Sequence, residues 1–300
     1  MAHNTSTLQE AYDFDTILRE LSWLNKTSPI WQSSNFITHS LGNLFQTDLH
    51  QAARDLERIW SWNGVPRRLG RRFEALLIAY FEHAVNSQLL GHEITVYKNK
   101  ISMGEIDLIL KLEQQIVHLE IALKFYAGIQ TGLDVHWIGP SCKDYFEKKK
   151  MHVLNHQLPL AEKPECIRRL KALNLPIPSQ SIGLIFGYLM QPWNIMLNLD
   201  EDMIQTSKSF WCTHDLFHDA ARRLSKPYGG AYGWRYIPRA QWTAPHYTNA
   251  TLPLLPNISR PDQADCYILV PKYSHAMEKL RLFVLPNNFP KFALDLLKRC

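Results

Sequence analysis

Cysteine is scarce and scattered in this 300-residue chain. Cys142, Cys166, Cys212, Cys266 and Cys300 form no CxxC pair, which argues against both a zinc ribbon and a disulfide framework. The thirteen histidines include no HExxH. Two HxxxH spacings, His152/His156 and His214/His218, have no evident third ligand and read as structural or surface residues. No GxxxxGK[ST] or GxGxxG occurs, so the glycine-rich loop that cradles a small phosphorylated substrate is missing. The longest apolar run, around Ile182 to Met190, is too short to span a bilayer, and the polar, acidic start MAHNTSTLQEAYDFD has no apolar signal core. Together these absences predict a cytoplasmic, reducing setting with no membrane partner.

What is present supports a real core. Hydrophobic residues make up 46% and aromatics 11%, with nine Trp, while charged residues are held to 20%. The net charge of +5 is compatible with a polyanionic partner.

Apolar periodicity predicts helices in residues 1–69: one capped by Asp15, carrying Ile17, Leu21 and Leu24, and one from Asp48 to Trp60. Leu69 to Leu90 follows the 3.6 period and Gly91 closes it. A short strand from Glu93 to Lys98 follows. Gly104 to Leu112 and Gln115 to Tyr126 then read as strands joined by a turn at Glu113-Gln114. Gly128 to Pro140 reads as a loop and Ser141 to His156 as a polar helix. Ser181 to Met190 is a continuous apolar strand of the kind buried on both faces. Beyond it come a helix from Phe210 to Leu224, an aromatic segment with Trp234 and Trp242, and strands at Asp265 to Val270 and Leu280 to Leu285. A helix from Pro290 closes the chain, and Pro253 to Pro261 is the best candidate for an exposed loop. The expected organisation is a helical N-terminal extension (1–69), an α-β-β-β-α-β core (70–190) and a C-terminal α/β extension (191–300), packed as one compact unit.

The charges inside the central strands need a reason. In Gln115 to Tyr126 the odd positions Val117, Leu119, Ile121, Leu123 and Phe125 are apolar, while Glu120 and Lys124 share the opposite face with His118. Pairing Leu112 with Gln115 sets Asp107 across from Glu120. Buried carboxylates are costly unless paired or bound to a metal. Glu74 projects from the margin of the apolar stripe of the preceding helix, where the bland reading is a first-turn glutamate favouring the helix dipole.

Glu74, Asp107, Glu120 and Lys124 on one α-β-β-β-α-β unit resemble the PD-(D/E)XK nuclease superfamily. Most of the chain, through LRELSWLNKTSPIW, LGRRFEALL, GEIDLIL, HLEIALKFY, WIGPSCKDYFEKKK, HQLPL, GYLMQP and Trp242-Thr243-Ala244-Pro245, is similar to the bacterial family called domain of unknown function 1853. The resemblance implies a restriction-endonuclease-like α/β fold with a mixed sheet, and a metal-dependent nuclease acting on DNA or another nucleic acid. Asp107, Glu120 and Glu74 would then serve Mg²⁺ or Mn²⁺, with the Ile121 carbonyl as a further ligand, and Lys124 would orient the water or stabilise the developing negative charge. Lys148 and Gln157 from the next helix would reach phosphate.

The chain departs from the superfamily pattern at two places. Ala122 stands where the lysine of Glu-x-Lys is expected, and Lys124 starts roughly 6 to 7 Å further along the strand. Ile106 replaces the proline before Asp107. Two other features point the same way without requiring it: Arg71 and Arg72, in the cluster Arg67 to Arg72, could steer a polyanion, and Trp234 and Trp242 could stack on bases or fill a core. The alternative is a nucleic-acid-binding or scaffold protein that keeps the fold without turnover.

Overall fold

The computed structural model describes residues 12–37, 39–195, 208–248 and 262–298. The expected loop from Pro253 to Pro261 lies outside the described residues.

Helix α1 (Phe14–Lys26) begins at Asp13, whose carboxylate accepts the Thr16 N–H at 2.9 Å. Asp13 has the extended backbone that an N-cap needs, whereas Asp15 already sits in the first turn, where its charge favours the helix dipole. Asp48 caps α2 (Leu49–Asn63) in the same way, through the Gln51 N–H. Helix α3 (Leu69–Glu82) stops at Glu82 instead of running on to Leu90. Past it the backbone finds other partners. Val85 N–H donates to the Gln46 carbonyl at 2.7 Å, while the Asn86 side chain accepts from Gln46 N–H and donates to the Leu44 carbonyl. Those bonds compete with another helical turn.

The strands follow as β1 (Trp31–Gln32), β2 (Gln88–Lys98), β3 (Ile101–Leu112), β4 (Gln115–Thr131) and β5 (Asp134–Ile138). The segment read as a loop is therefore the end of β4 and β5, with Ala127 paired to Ile138 and Thr131 to Asp134. Gly132, at φ +64°, supplies the left-handed residue that a tight hairpin turn requires. Helix α4 (Phe146–His152) starts later than Ser141 and runs into a π-helical turn (Val153–Gln157) and a 3₁₀ turn (Leu158–Glu162). Helix α5 (Pro164–Ala172), which the periodicity did not single out, has Pro164 in its first turn and buries Cys166 and Leu170. Next come β6 (Gln180–Pro192) and β7 (Ser209–Thr213). The helix expected from Phe210 is confined to α6 (Phe217–Ser225), because residues 209–213 pair in parallel with residues 281–285. The remaining elements are β8 (Tyr232–Ile237), β9 (Tyr247–Thr248), β10 (Asp265–Pro271), β11 (Ala276–Met277), β12 (Leu280–Leu285) and α7 (Phe289–Leu297).

The chain divides into two compact units, one of residues 1–123 and 150–186, the other of residues 124–149 and 187–300. The N-terminal helices share a unit with the first strands, and the boundary between the units passes through β4 and β6. In the first unit the strand order is β2-β3-β4-β6, with β1 pairing on β6. Tyr80 of α3 donates to Asn25 of α1 at 2.7 Å, and the rings of Phe73 and Phe186 lie 5.9 Å apart.

In the second unit β6 and β7 run parallel, as do β7 and β12, while β10 is antiparallel to both β12 and β8. Phe217 and Ala221 of α6 pack on Tyr267, Leu269, Leu282 and Val284. Gly187 has φ +130°, and a Cβ there would stand 1.7 Å from the Lys124 carbonyl, so only glycine allows the two chain segments to meet.

Arg281 is the unusual member of this core, with 1% exposure. Its guanidinium donates to both carboxylate oxygens of Glu278 and to the carbonyls of Trp242 and Ala244, and lies 4.7 Å over the Tyr188 ring. It thereby fastens the Trp242-Thr243-Ala244-Pro245 stretch to β12. Truncating one partner of such a buried pair strands the other charge. Arg281→Ala is expected to lower unfolding stability by about 3 to 5 kcal/mol, measured by urea denaturation.

Candidate functional site

The β3–β4 hairpin keeps the anticipated register from Leu112↔Gln115 to Leu108↔Leu119. At the next step a side chain enters the ladder: the Asp107 Oδ2 accepts the Ile121 N–H at 2.9 Å. The aspartate is thus fixed against the backbone immediately after Glu120. Glu120 itself is 2% exposed, and the Gln157 amide donates to its Oε1. Gln157 ends the π-helical turn, a widened coil that often marks functional sites.

Glu74 of α3 comes within electrostatic reach of this group. Burial holds its carboxyl above the ordinary pKa against the pull of Arg71, and the charges of Asp107 and Glu93 push the same way as burial. Arg71 bridges Glu74 at 2.9 Å, Glu93 at 2.6 Å and Glu105 at 3.7 Å. Half-exposed, it is turned to three carboxylates of its own unit. Glu93 sits between the pairs His92↔Leu108 and Ile94↔Ile106, hence level with Asp107, with a left-handed φ of 50°.

Asp107, Glu120, Glu74 and Gln157 therefore gather in the first unit. Other expected site residues go elsewhere. Arg72 is a correction: it is 2% exposed, donates to the carbonyls of Pro66 and Arg67, and covers the Tyr12 ring at 5.1 Å. A buried guanidinium bonded to backbone carbonyls does not meet a polyanion. Lys148 is exposed on α4 and belongs to the second unit. Lys124 also belongs to the second unit, where its ammonium pairs with Asp144 Oδ2 at 2.7 Å and the Tyr126 hydroxyl donates to the same oxygen at 3.3 Å. Asp144 precedes α4.

Trp234 and Trp242 are buried, donating to the carbonyls of Ala221 and Ile237, which settles them as core residues. His214 bonds the Gln263 carbonyl, as a structural histidine does.

Sequence reasoning missed His118. Its Nδ1 lies 3.1 Å from Ser181 Oγ and its Nε2 4.0 Å from Glu120 Oε2, with the side chain fully buried. The available signal was parity, since His118 precedes Glu120 by two positions on the same strand face. Ser181, 63 residues away, left no such signal.

Among the described residues no three His, Cys, Asp or Glu side chains converge as a ready-made metal cage. Asp107 and Glu120, on the adjacent strands β3 and β4, carry hard carboxylate oxygens. Two such donors suit Mg²⁺, which keeps several waters, better than a metal needing a full protein cage.

The family model described as Domain of unknown function (DUF1853) matches residues 16–268. The chain belongs to this family. The DUF1853 match takes in Glu74, Asp107, Glu120, Lys124 and Gln157, and stops before β12. No curated protein and no solved structure matches the chain. Among the described residues, no helix is long and apolar enough to cross a membrane.

Burial lowers the His118 pKa from 6.5 to about 4. With the folded value below the unfolded one, the stability linked to a neutral His118 is complete above pH 6.5 and is lost as pH falls toward about 4. The loss is on the order of 3 kcal/mol. His118→Gln is expected to flatten that part of the stability profile, read by urea denaturation at neutral and acidic pH.

Proposed function

We propose that this DUF1853 protein is a metal-dependent, nuclease-like hydrolase of nucleic-acid phosphodiester bonds, built on a restriction-endonuclease-like α-β-β-β-α-β core. The observation that carries this reading is the seating of Asp107 and Glu120 side by side on β3 and β4, the first by the Ile121 N–H and the second by Gln157. The order α3, β2, β3, β4, α4, β6 supports it, interrupted by the short β5 and by α5.

A bound Mg²⁺ or Mn²⁺ would polarise the phosphate and lower the pKa of the attacking water. Asp107 and Glu120 would hold that ion through carboxylate oxygens. Gln157 keeps Glu120 in one rotamer, and His118, locked by Ser181, lines the buried side of the same carboxylate. Glu74 would bind a metal water or a second ion, while Arg71 restrains its Oε2. Lys124 lies four residues beyond Glu120 on β4. Within the second unit its ammonium is paired with Asp144.

That same ion pair favours a second reading, a nucleic-acid-binding or scaffold protein without turnover. A lysine held by a carboxylate at 2.7 Å has its charge already matched.

A cleavage assay with labelled DNA and RNA in Mg²⁺ or Mn²⁺ separates the two. Asp107→Ala and Glu120→Ala are each expected to lose on the order of 100-fold or more in rate. Cleavage unchanged in both variants would overturn the catalytic assignment. Binding without cleavage in either metal would select the second reading.

A further inference from the structure

Helix α5 packs its inner side into the first unit: Cys166 and Leu170 share a core cluster with Ile94, Val96 and Ile106 of β2 and β3. Its outer side is basic. Arg168, Arg169 and Lys171 are exposed, as is Lys163 at the N-cap. Beside it stands the β2–β3 hairpin, turned at Asn99-Lys100 with φ values of 49° and 67°, the two left-handed residues of a tight turn. Lys98 and Lys100 are exposed there.

Glu165 fastens the two elements together. Its Oε1 lies 3.4 Å from Lys98 Nζ and 3.6 Å from Arg168 Nη2. Across this surface six cations face two carboxylates, Glu162 and Glu165, an excess of four on a chain whose whole excess is +5. Large apolar side chains stand next to the charge, with Tyr97 58% and Ile101 72% exposed. Helix-dipole compensation accounts for Arg169 and Lys171 in the last turn of α5. It leaves Lys100, Lys163 and the uncovered Tyr97 unexplained.

We propose that α5 and the β2–β3 hairpin form a nucleic-acid docking surface, with the cations on the sugar-phosphate backbone and Tyr97 against a base or sugar. The charge is the complement of a phosphate backbone. An exposed aromatic beside cations is the arrangement that holds unpaired bases. The core cluster and the Glu165 bridges keep the surface rigid, so little ordering is needed on binding. The inference rests on the nucleic-acid reading above and names the surface that would carry it.

The test uses the full chain and fluorescein-labelled duplex and single-stranded oligonucleotides, in EDTA, by fluorescence anisotropy over about 50 to 200 mM salt. The triple variant Arg168→Gln, Arg169→Gln, Lys171→Gln is expected to reduce the slope of log affinity against log salt by about 2 to 3. At physiological salt its affinity is expected to fall about tenfold or more. Tyr97→Ala with Lys100→Gln, which touches the hairpin alone, is expected to weaken binding independently. Circular-dichroism melting verifies that each variant is folded.

Unchanged affinity and slope in folded variants would overturn the docking surface, even where Mg²⁺-dependent cleavage is observed. So would a chain that binds no oligonucleotide, or one that binds phosphatidylserine vesicles through these residues instead. Binding that depends on this surface, with no cleavage in Mg²⁺ or Mn²⁺, would sustain the docking surface while the catalytic reading falls.

Discussion

A carboxylate set into a β-sheet must be held by donors, and the Asp107 bond to the Ile121 N–H is the interaction around which the candidate site is arranged. The side-chain oxygen substitutes for a backbone carbonyl at the point where the regular β3–β4 ladder ends. That substitution keeps the aspartate within the sheet and aligns it with Glu120. Glu120, almost without exposure, takes its donor from Gln157. Carboxylates this confined repel one another, and the raised pKa of Glu74 shows that repulsion added to burial. Arg71, bridging three glutamates, offsets part of it. A divalent cation would relieve the same strain, and this links the electrostatics of the site to the proposed chemistry.

The two lysine-bearing neighbourhoods divide the functional question. Lys124 belongs to the second unit and is engaged by Asp144 and, through the same oxygen, by Tyr126. The cations of α5 and the β2–β3 hairpin belong to the first unit and are mostly turned to solvent. The proposed catalytic and docking roles therefore rest on separate residues, so that either one can hold without the other.

Much of the local structure was legible from the residues. Alternation identified both strands of the central hairpin and its two-residue turn, because a buried face forces apolar residues to every second position. The continuous apolar run predicted β6, and Leu280 to Leu285 was placed at its observed limits. Errors fell where partners distant in sequence compete for the backbone. The Gln46 segment ended α3 early, and the partner at residues 281–285 drew residues 209–213 into a strand. Arg72 resembled its exposed neighbours in composition, yet the carbonyls of Pro66 and Arg67 took it inward.

The sequence by itself determined which residues alternate, which faces are apolar, and that Asp107 and Glu120 fall on adjacent strands of one hairpin, since strand period and turn length are local properties. It also carried the DUF1853 pattern over residues 16–268. Only the tertiary structure decided what each charge touches: His118 with Ser181, Glu120 with Gln157, Lys124 with Asp144, and Lys98 with Glu165. Except for the hairpin itself, these contacts join residues 20 or more positions apart. Burial and the positions of distant elements select such partners, and no spacing along the chain encodes them.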